Sequence, residues 1–244
     1  MHLRLSLLAL LFCPMLSFAQ NARDDLQSIR YLAFSASSHL LLHYNSNTGT
    51  SDPQHAEKYR ADLQQLDALL KQTQSLELQA EGSRFQSLID TLEQHRDEAV
   101  QLYPIWINPI LESQARLDAL ADTMAADTTQ VRPAVQALQR LSLNTQRLLL
   151  YYQTRAFGSL AVYIDDLKQG APDNLDNAIR RDLSALQDAL PEQSQALNKL
   201  TRNYHYIRGH LLQREGEFVP GSVAFYLAQI GAQSQQLAQQ IESS

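Results

Sequence analysis

The chain of 244 residues is long enough to bury one large hydrophobic core or two smaller ones. Its 8 glycines, 8 prolines and aromatic content of 7% argue against a β-rich fold, and no segment alternates between apolar and polar residues as a strand does. The formal charge of −6 excludes a general nucleic-acid-binding surface. We therefore expect an all-α protein.

The first nineteen residues have the pattern of a secretory signal peptide. Arg4 supplies the positive start, residues 5–16 form an apolar run, and residues 17–19 form a small-x-small cleavage site. The apolar run is short for a membrane span. Cleavage after about Ala19 would remove Cys13, the only cysteine. We expect a periplasmic protein, or one secreted by a bacterium, without disulfide bonds.

Apolar residues at helical spacing then predict four helices within residues 20–127. The caps and helix-breaking residues place these helices at about 24–44, 54–80, 83–103 and 108–126. Residues 81–83 (EGS) are expected to separate the second helix from the third. Asn108 and Pro109 are expected to open the fourth, as N-cap and first helical residue.

Four more helices are predicted within residues 128–244. The first of them starts near Thr128 and reaches Tyr152, with an extension towards Leu167 left open. The seventh helix of the chain is indicated by strict heptad spacing of its apolar residues: Leu197, Leu200, Tyr204, Ile207 and Leu211. The weak break at 125–127 leaves open whether helices four and five form one continuous rod.

The two halves of the chain share sequence. Residues 40–44 (LLLHY) match residues 148–152 (LLLYY), 108 positions later. Residues 59–70 match residues 179–190 with an offset of 120. We interpret this as an internal duplication, which predicts tandem four-helix bundles at 20–127 and 128–244.

Candidate ligand-binding residues lie on the first helix of each half. Arg140 and Arg147 are two helical turns apart, so they lie on one side of their helix, with Asn144 between them. Together they could bind a small anion through charge-assisted hydrogen bonds. Arg30 could do the same in the first half. The competing interpretation is that these are ordinary solvated charges beside the apolar stripe.

Candidate partner contacts lie at two aromatic corners, residues 103–106 (YPIW) and 218–221 (FVPG). Tyr103, Trp106 and Phe218 would be interface anchors if they are exposed, because rigid aromatic rings give large contact areas. The alternative is that Trp106 closes the end of the first bundle.

Other kinds of site have no support in the sequence. His39 and His43 have the i,i+4 spacing of metal ligands, but no further ligand motif accompanies them. No nucleophile elbow, phosphate loop, haem-attachment motif or catalytic carboxylate pair is present. We expect no enzymatic activity, no metal and no cofactor.

Residues 139–147 (QRLSLNTQR), residues 28–32, and the Tyr59-x₃-Leu63 pattern resemble a family of bacterial sensor domains. These are the N-terminal periplasmic domains of type IV pilus methyl-accepting chemotaxis transducers, related to nitrate/nitrite sensor modules. The segment 110–124 (ILESQARLDALADTM) is similar as well. The resemblance implies a four-helix sensor fold and a role in pilus-associated chemosensing. It does not extend to a repeated anion site, since Arg30 aligns with Leu138.

The sequence therefore predicts a soluble periplasmic sensor-type protein that binds a small anion or metabolite, a partner, or both. No second apolar span or output domain follows, so we expect a membrane receptor or a pilus-associated envelope protein as partner. The alternative is a structural or scaffolding envelope protein that acts through helix contacts without a small ligand. Whether the chain forms a homodimer stays open.

Overall fold

A computed structural model of the protein describes residues 13–45, 53–126, 132–157, 160, 171–213 and 217–242, with only the backbone described for 13–21 and 171. Within these ranges the regular structure is helical and contains no strand, which confirms the all-α prediction. The α-helices there are α1 (Cys13–His43), α2 (Pro53–Gln72), α3 (Leu76–Gln94), α4 (Tyr103–Ala126), α5 (Pro133–Thr154), α6 (Ala171–Ala189), α7 (Ser194–Leu212) and α8 (Pro220–Glu242). Short 3₁₀ turns precede α4 and α7.

The helices form two four-helix bundles with the same order of neighbours. In the first bundle α1 packs against α2 and α4, and α3 packs against both of those. In the second, α5 packs against α6 and α8, and α7 packs against both. Each bundle has its own apolar core. The five heptad positions predicted for α7 are all buried. The boundary predicted at 127/128 lies outside the described residues.

The first helices of the two bundles, α1 and α5, pack against each other and run parallel. Gln139 bonds to Asp24 near their starts, and the Arg147 guanidinium lies 5.8 Å from the centre of the Phe34 ring further along both helices. Each helix is therefore enclosed by its own bundle on one side and by the other bundle opposite. Every residue in the range 32–42 of α1 is buried.

Leucines cross this contact in both directions. Leu42 of α1 packs in the core of the second bundle. Leu143 and Leu150 of α5 pack in the core of the first. Leu42 and Leu150 occupy matching positions of the internal repeat, so the two halves exchange equivalent side chains. This exchange ties the two apolar cores together.

The predicted break at residues 81–83 is wrong, because α3 begins at Leu76 and continues through Gly82. Its N-cap is Ser75, whose hydroxyl accepts a hydrogen bond from the Leu78 amide at 3.2 Å. Gly82 serves packing instead of ending a helix. A Cβ atom at this position would lie 2.1 Å from Leu70 Cδ1 of α2, so glycine allows the close approach of the two helices.

Two other predicted helix limits also differ. α3 ends at Gln94 and α4 begins at Tyr103, so Pro104 lies in the first turn of α4 and Pro109 lies inside that helix. Proline is tolerated in a first turn, where the amide has no helical acceptor, so Pro104 is as good a start as Pro109. α5 ends at Thr154, close to the predicted Tyr152, and does not continue towards Leu167.

The optional central rod is not formed either. Arg132 has extended backbone angles (φ −52°, ψ 131°), so α5 starts afresh at Pro133 instead of continuing α4. At the other end of the chain, the backbone of α1 is helical across the predicted cleavage site at Ala19. Residues 1–12 of the predicted signal peptide lie outside the described residues. None of the described helices has the length and apolarity needed to cross a membrane.

Candidate functional site

The contact between the bundles contains a buried ionic group, which brings together two of the predicted ligand-binding arginines. Arg30 of α1 donates from Nε to Asp118 Oδ1 of α4 at 2.6 Å and also pairs with Asp122. Arg147 of α5 donates from Nη2 to Asp118 Oδ2 at 2.9 Å. One carboxylate therefore serves arginines from both bundles. Arg30 is only 4% exposed.

The other two residues of the predicted anion site are placed differently. Arg140 forms two hydrogen bonds to Asp182 of α6, Nη2 to Oδ1 at 2.5 Å and Nε to Oδ2 at 3.1 Å. Asn144 is buried on α5. The structure thus joins Arg30 to Arg147 through Asp118 and leaves Arg140 in a separate pair with α6. Each of the three positive charges faces a carboxylate.

Further polar side chains are buried on the helices that meet at this contact. Each has at least one buried side-chain atom without a hydrogen-bond partner in the described part of the chain, and each residue is at most 2% exposed. We call them the polar layer: Ser37 and Ser38 of α1, Gln114 of α4, and Ser142 and Gln146 of α5. Gln146 lacks a partner at both its amide nitrogen and its amide oxygen. Such groups are rare in folded proteins and cost stability.

α8 packs against both α1 and α5, on the side of their contact opposite α4. Gly231 of α8 lies where an added Cβ would be 3.0 Å from Gln146 Nε2, 3.1 Å from Tyr31 Cε2 and 3.2 Å from Thr145 Oγ1. The glycine therefore admits a phenol ring and an amide into the three-helix junction. Burial raises the pKa of Tyr31, and the charge of Asp62 adds to this. The phenol stays neutral at physiological pH.

A cleft opens at this junction, between the start of α1, the start of α5 and the end of α8. It encloses only about 40 Å³ of space that solvent can enter and is otherwise open to bulk solvent. Most of its lining residues carry a polar group, although more of the surface they present to the cleft is apolar than polar: Asp24, Gln27, Ser28, Tyr31, Gln139, Ser142, Leu143, Gln235, Ala238, Gln239 and Glu242. Ser142 also belongs to the polar layer, so the cleft reaches into the contact between the bundles.

Two carboxyl groups meet in the cleft. The side chains of Asp24 and Glu242 are hydrogen-bonded to each other, and Gln139 Nε2 donates to Asp24 Oδ1 at 3.1 Å. Burial raises the pKa of Asp24, while the bonds to Glu242 and Gln139 lower it. The raised value means that desolvation outweighs these bonds.

The predicted partner contacts lie at the opposite end of α1 and α5. Trp106 is half-buried and stacks on His95, with ring centroids 4.5 Å apart. Tyr103 is buried and donates to the Arg96 carbonyl at 2.7 Å. Phe218 is half-buried and stacks on Tyr152 at 4.9 Å.

Of the two histidines considered as metal ligands, His39 is paired with a different residue. Its Nδ1 lies 3.3 Å from Nδ1 of His55 on α2, and the two rings stack. Burial, followed by His55 and Lys58, lowers the pKa of His39 to about 3. Lys58 makes this position less favourable for a cation. His43 packs against Tyr44 and Tyr59 instead.

Sequence reasoning missed Asp118, Tyr31, Asp24 and Glu242 as members of a site. Asp118 could have been recognised from the sequence, because it follows Leu117 on the buried side of α4, where a charged residue needs a partner. The others are ordinary polar residues on predicted helices and left no such signal. Comparison of the chain with family models, curated proteins and solved structures gives no match.

Proposed function

We propose that this chain is a non-catalytic binding protein of the periplasmic sensor type, and that its small ligand binds in the cleft between α1, α5 and α8. The observation that carries the proposal is the polar layer. A buried polar group without a hydrogen-bond partner costs about 1–3 kcal/mol. A contact that served only to hold two bundles together would be at least as stable with apolar side chains.

The position of the cleft supports a sensing role. α1 belongs to the first bundle, whereas α5 and α8 belong to the second. A ligand that contacts both bundles favours the arrangement in which its contacts are best, so binding shifts the population of bundle arrangements. On the other side of the contact, Asp118 would keep the two bundles together while their arrangement changes, because it bonds one arginine from each bundle.

The sensor would act through a membrane receptor or a pilus-associated partner. The end of the molecule that contains Trp106 offers such a contact, since several apolar side chains there are exposed. They are Val100, Leu102, Ile105, Tyr206 and Phe225. They lie where α1 and α5 end, far from the cleft at the starts of these helices.

The experiment is a thermal-shift screen of the purified protein with small amines, amino acids, alcohols, carboxylates and inorganic anions. A ligand that binds only the folded state raises Tm by mass action. A ligand of the cleft should lose this effect in Ser142→Val, because Ser142 lines the cleft and is buried. It should keep the effect in Arg140→Ala, whose side chain is half exposed and faces α6.

Two results would contradict the proposal: no ligand that raises Tm, or a ligand that stabilises both variants equally. Stabilisation by anions that is lost in Arg140→Ala and kept in Ser142→Val would instead support the anion site predicted from the sequence.

The second candidate is an envelope scaffold that uses the exposed apolar end without any small ligand. Trp106→Ala tests whether that end binds a partner or only packs within the bundle. Trp106 is half-buried, so its removal should lower stability by less than the roughly 3–5 kcal/mol that a fully buried tryptophan costs. For a scaffold, and equally for a sensor with a partner, the variant should capture less envelope protein. This loss should exceed the loss of folded protein that its melting curve shows. Unchanged capture per folded molecule would remove the contact.

A further inference from the structure

We propose that a groove between α2 and α3 of the first bundle binds a free α-amino acid with an apolar side chain. The groove is separate from the cleft between α1, α5 and α8, because no residue lines both of them. The inference therefore goes beyond the proposed function and does not depend on it.

The groove has room for a small ligand. It holds about 250 Å³ of space that solvent can enter, against about 40 Å³ in the cleft. Pockets for drug-sized ligands usually hold about 300–1,000 Å³. The groove therefore suits a smaller molecule, such as a free amino acid. Its lining residues are Leu63, Leu66, Asp67, Leu70, Lys71, Gln79, Gly82, Ser83 and Gln86.

One side of the groove can accept an apolar side chain. Leu63, Leu66 and Leu70 lie on one face of α2. Gly82 of α3 lies beside them, where an added Cβ would be 2.1 Å from Leu70 Cδ1. The groove as a whole nevertheless presents slightly more polar than apolar surface. A ligand made only of hydrocarbon would leave these polar groups without partners, so the ligand needs polar groups of its own.

A pair of opposite charges lines the same groove. Lys71 Nζ donates to Asp67 Oδ2 at 2.5 Å, and the two side chains are 73% and 41% exposed. Exposed ion pairs of this kind contribute little to stability, so a ligand can open the pair at small cost. The ammonium group of an amino acid can then bond to Asp67 and its carboxylate to Lys71. A ligand with a single charge would leave one member of the pair without its partner.

The polar side of the groove supplies further acceptors for the ammonium group. Gln79 Nε2 donates to the Thr73 carbonyl at 2.8 Å, and the Ser83 hydroxyl donates to the Gln79 carbonyl at 2.9 Å. These bonds use the donors of the two side chains, whereas the Gln79 Oε1 and Ser83 Oγ atoms can still accept. An ammonium group has three N–H donors. Asp67, Gln79 and Ser83 together offer three kinds of acceptor for them.

The second bundle packs the matching helices without a charge pair. The internal repeat matches the three leucines to Leu183, Leu186 and Leu190, but it places Gln187 at the position of Asp67 and Pro191 at that of Lys71. Gln187 Nε2 donates to Asn198 Oδ1 and to Thr201 Oγ1 of α7, both at 3.2 Å. Gln187 thus bridges α6 to α7, whereas Asp67 pairs within α2. The bundle fold itself therefore does not require the two charges beside the groove.

The test compares L-leucine with two analogues on the full chain. The analogue 4-methylpentanoate lacks the amine, and 3-methylbutylamine lacks the carboxylate, while both keep the branched side chain. We expect leucine to raise Tm and to bind in calorimetry, and each analogue to bind at least tenfold more weakly. Glycine, a zwitterion without a side chain, should also bind at least tenfold more weakly.

Variants of the groove locate the binding. Asp67→Asn and Lys71→Gln should each weaken leucine binding at least tenfold, and Ser83→Phe should abolish it, because a ring at this exposed position fills the groove. The matched controls are Glu57→Gln and Lys58→Gln, which remove the same charges from exposed positions of α2 outside the groove. They should bind leucine like the wild type. Circular dichroism checks that every variant remains folded.

The outcomes separate this inference from the proposed function. Stabilisation by leucine that is lost in Asp67→Asn and kept in Ser142→Val supports the groove. The opposite pattern would place leucine in the cleft, which would overturn this inference and support the proposed function. Absence of any effect of leucine would also overturn the inference, and the broader ligand screen would still decide the proposed function.

Two further results would overturn the inference by removing the role of the charge pair. One is equal binding of leucine and either analogue. The other is equal weakening of leucine binding in the groove variants and in Glu57→Gln or Lys58→Gln.

Discussion

Asp118 shows how one residue can hold two bundles together. Its two carboxylate oxygens accept from Arg30 in its own bundle and from Arg147 in the other. Bringing these charges out of water is costly, and only their mutual contacts offset that cost. Removing the carboxylate of Asp118, which both arginines share, should therefore lower stability more than removing either arginine.

Replacing Asp118 by Asn should lower the free energy of unfolding by about 3–5 kcal/mol, the usual cost of breaking a buried ion pair from one side. The matched control is Asp122→Asn, which also removes a partner of Arg30 but has a side chain that is 64% exposed. It should cost less than about 1 kcal/mol. Urea unfolding of both variants measures the difference, and equal losses would show that Asp118 is not the central partner.

His39 makes stability depend on pH. Its folded pKa is about 3, against an ordinary value of 6.5, so the unfolded chain binds a proton more readily. Its contribution is therefore complete above pH 6.5 and is lost as the pH falls towards 3. The groups of α2 that act on it are His55 and Lys58. Asp62, with a pKa raised to about 6 by burial, acts oppositely between pH 6 and 3.8.

His39→Gln should make the acid side of the stability curve less steep. Between pH 6.5 and 5 the wild type should lose up to about 1.4 kcal/mol per pH unit more than the variant, the limit for one proton. His205→Gln, which changes an exposed histidine on α7, is the control and should leave the wild-type slope. Parallel slopes for His39→Gln and wild type would disprove the role of His39.

At the scale of elements, two helix glycines allow the effect of packing to be separated from that of local propensity. Gly82 lies inside α3 against Leu70, and Gly209 lies inside α7 with nothing within 4 Å of an added Cβ. Alanine has the higher helix propensity by roughly 0.8–1 kcal/mol. Replacing either glycine by alanine therefore gives the same gain in helix propensity, but the new methyl group meets different surroundings.

Gly209→Ala should raise the free energy of unfolding by about 0.5–1 kcal/mol through propensity alone. Gly82→Ala should lower it, because the new methyl group overlaps Leu70 and overpacking typically costs 1–3 kcal/mol. Denaturant melts of the two variants give the comparison. A stabilised Gly82→Ala protein would mean that Leu70 moves away at little cost.

At the scale of the whole molecule, the exchange of leucines makes each bundle incomplete without the other. The fragment 128–244, predicted from the sequence to fold alone, would lack Leu42 in its core and would expose Leu143 and Leu150. The helices should still form, because α5–α8 enclose most of the second core. The fragment should nonetheless be less stable than the full chain.

We expect the fragment 128–244 to be helical by circular dichroism and to self-associate in sedimentation through its exposed leucines. Leu143→Gln together with Leu150→Gln should restore the monomer. The same pair of changes should destabilise the full chain by several kcal/mol, because both side chains are buried there. A monomeric unmodified fragment as stable as the full chain would show that the contact contributes little.

Helix periodicity alone determined the all-α class and the buried heptad of α7, because these depend on residues within a few turns of each other. The internal match of 40–44 with 148–152 likewise predicted two four-helix units. Helix limits were less predictable. Gly82 and Pro109 are residue types common at helix ends, yet both lie inside helices. For Gly82 the reason is the close approach of Leu70 on the neighbouring helix.

Only the tertiary structure decided which polar residues meet. Arg30, Asp118 and Arg147 are 88 and 29 positions apart along the chain. Asp24 and Glu242 come from the first and last described helices. Such pairings depend on the rotation and register of packed helices, which a local pattern does not specify. Periodicity shows which face of a helix is buried, but the identity of the helix against that face depends on how the two bundles pack.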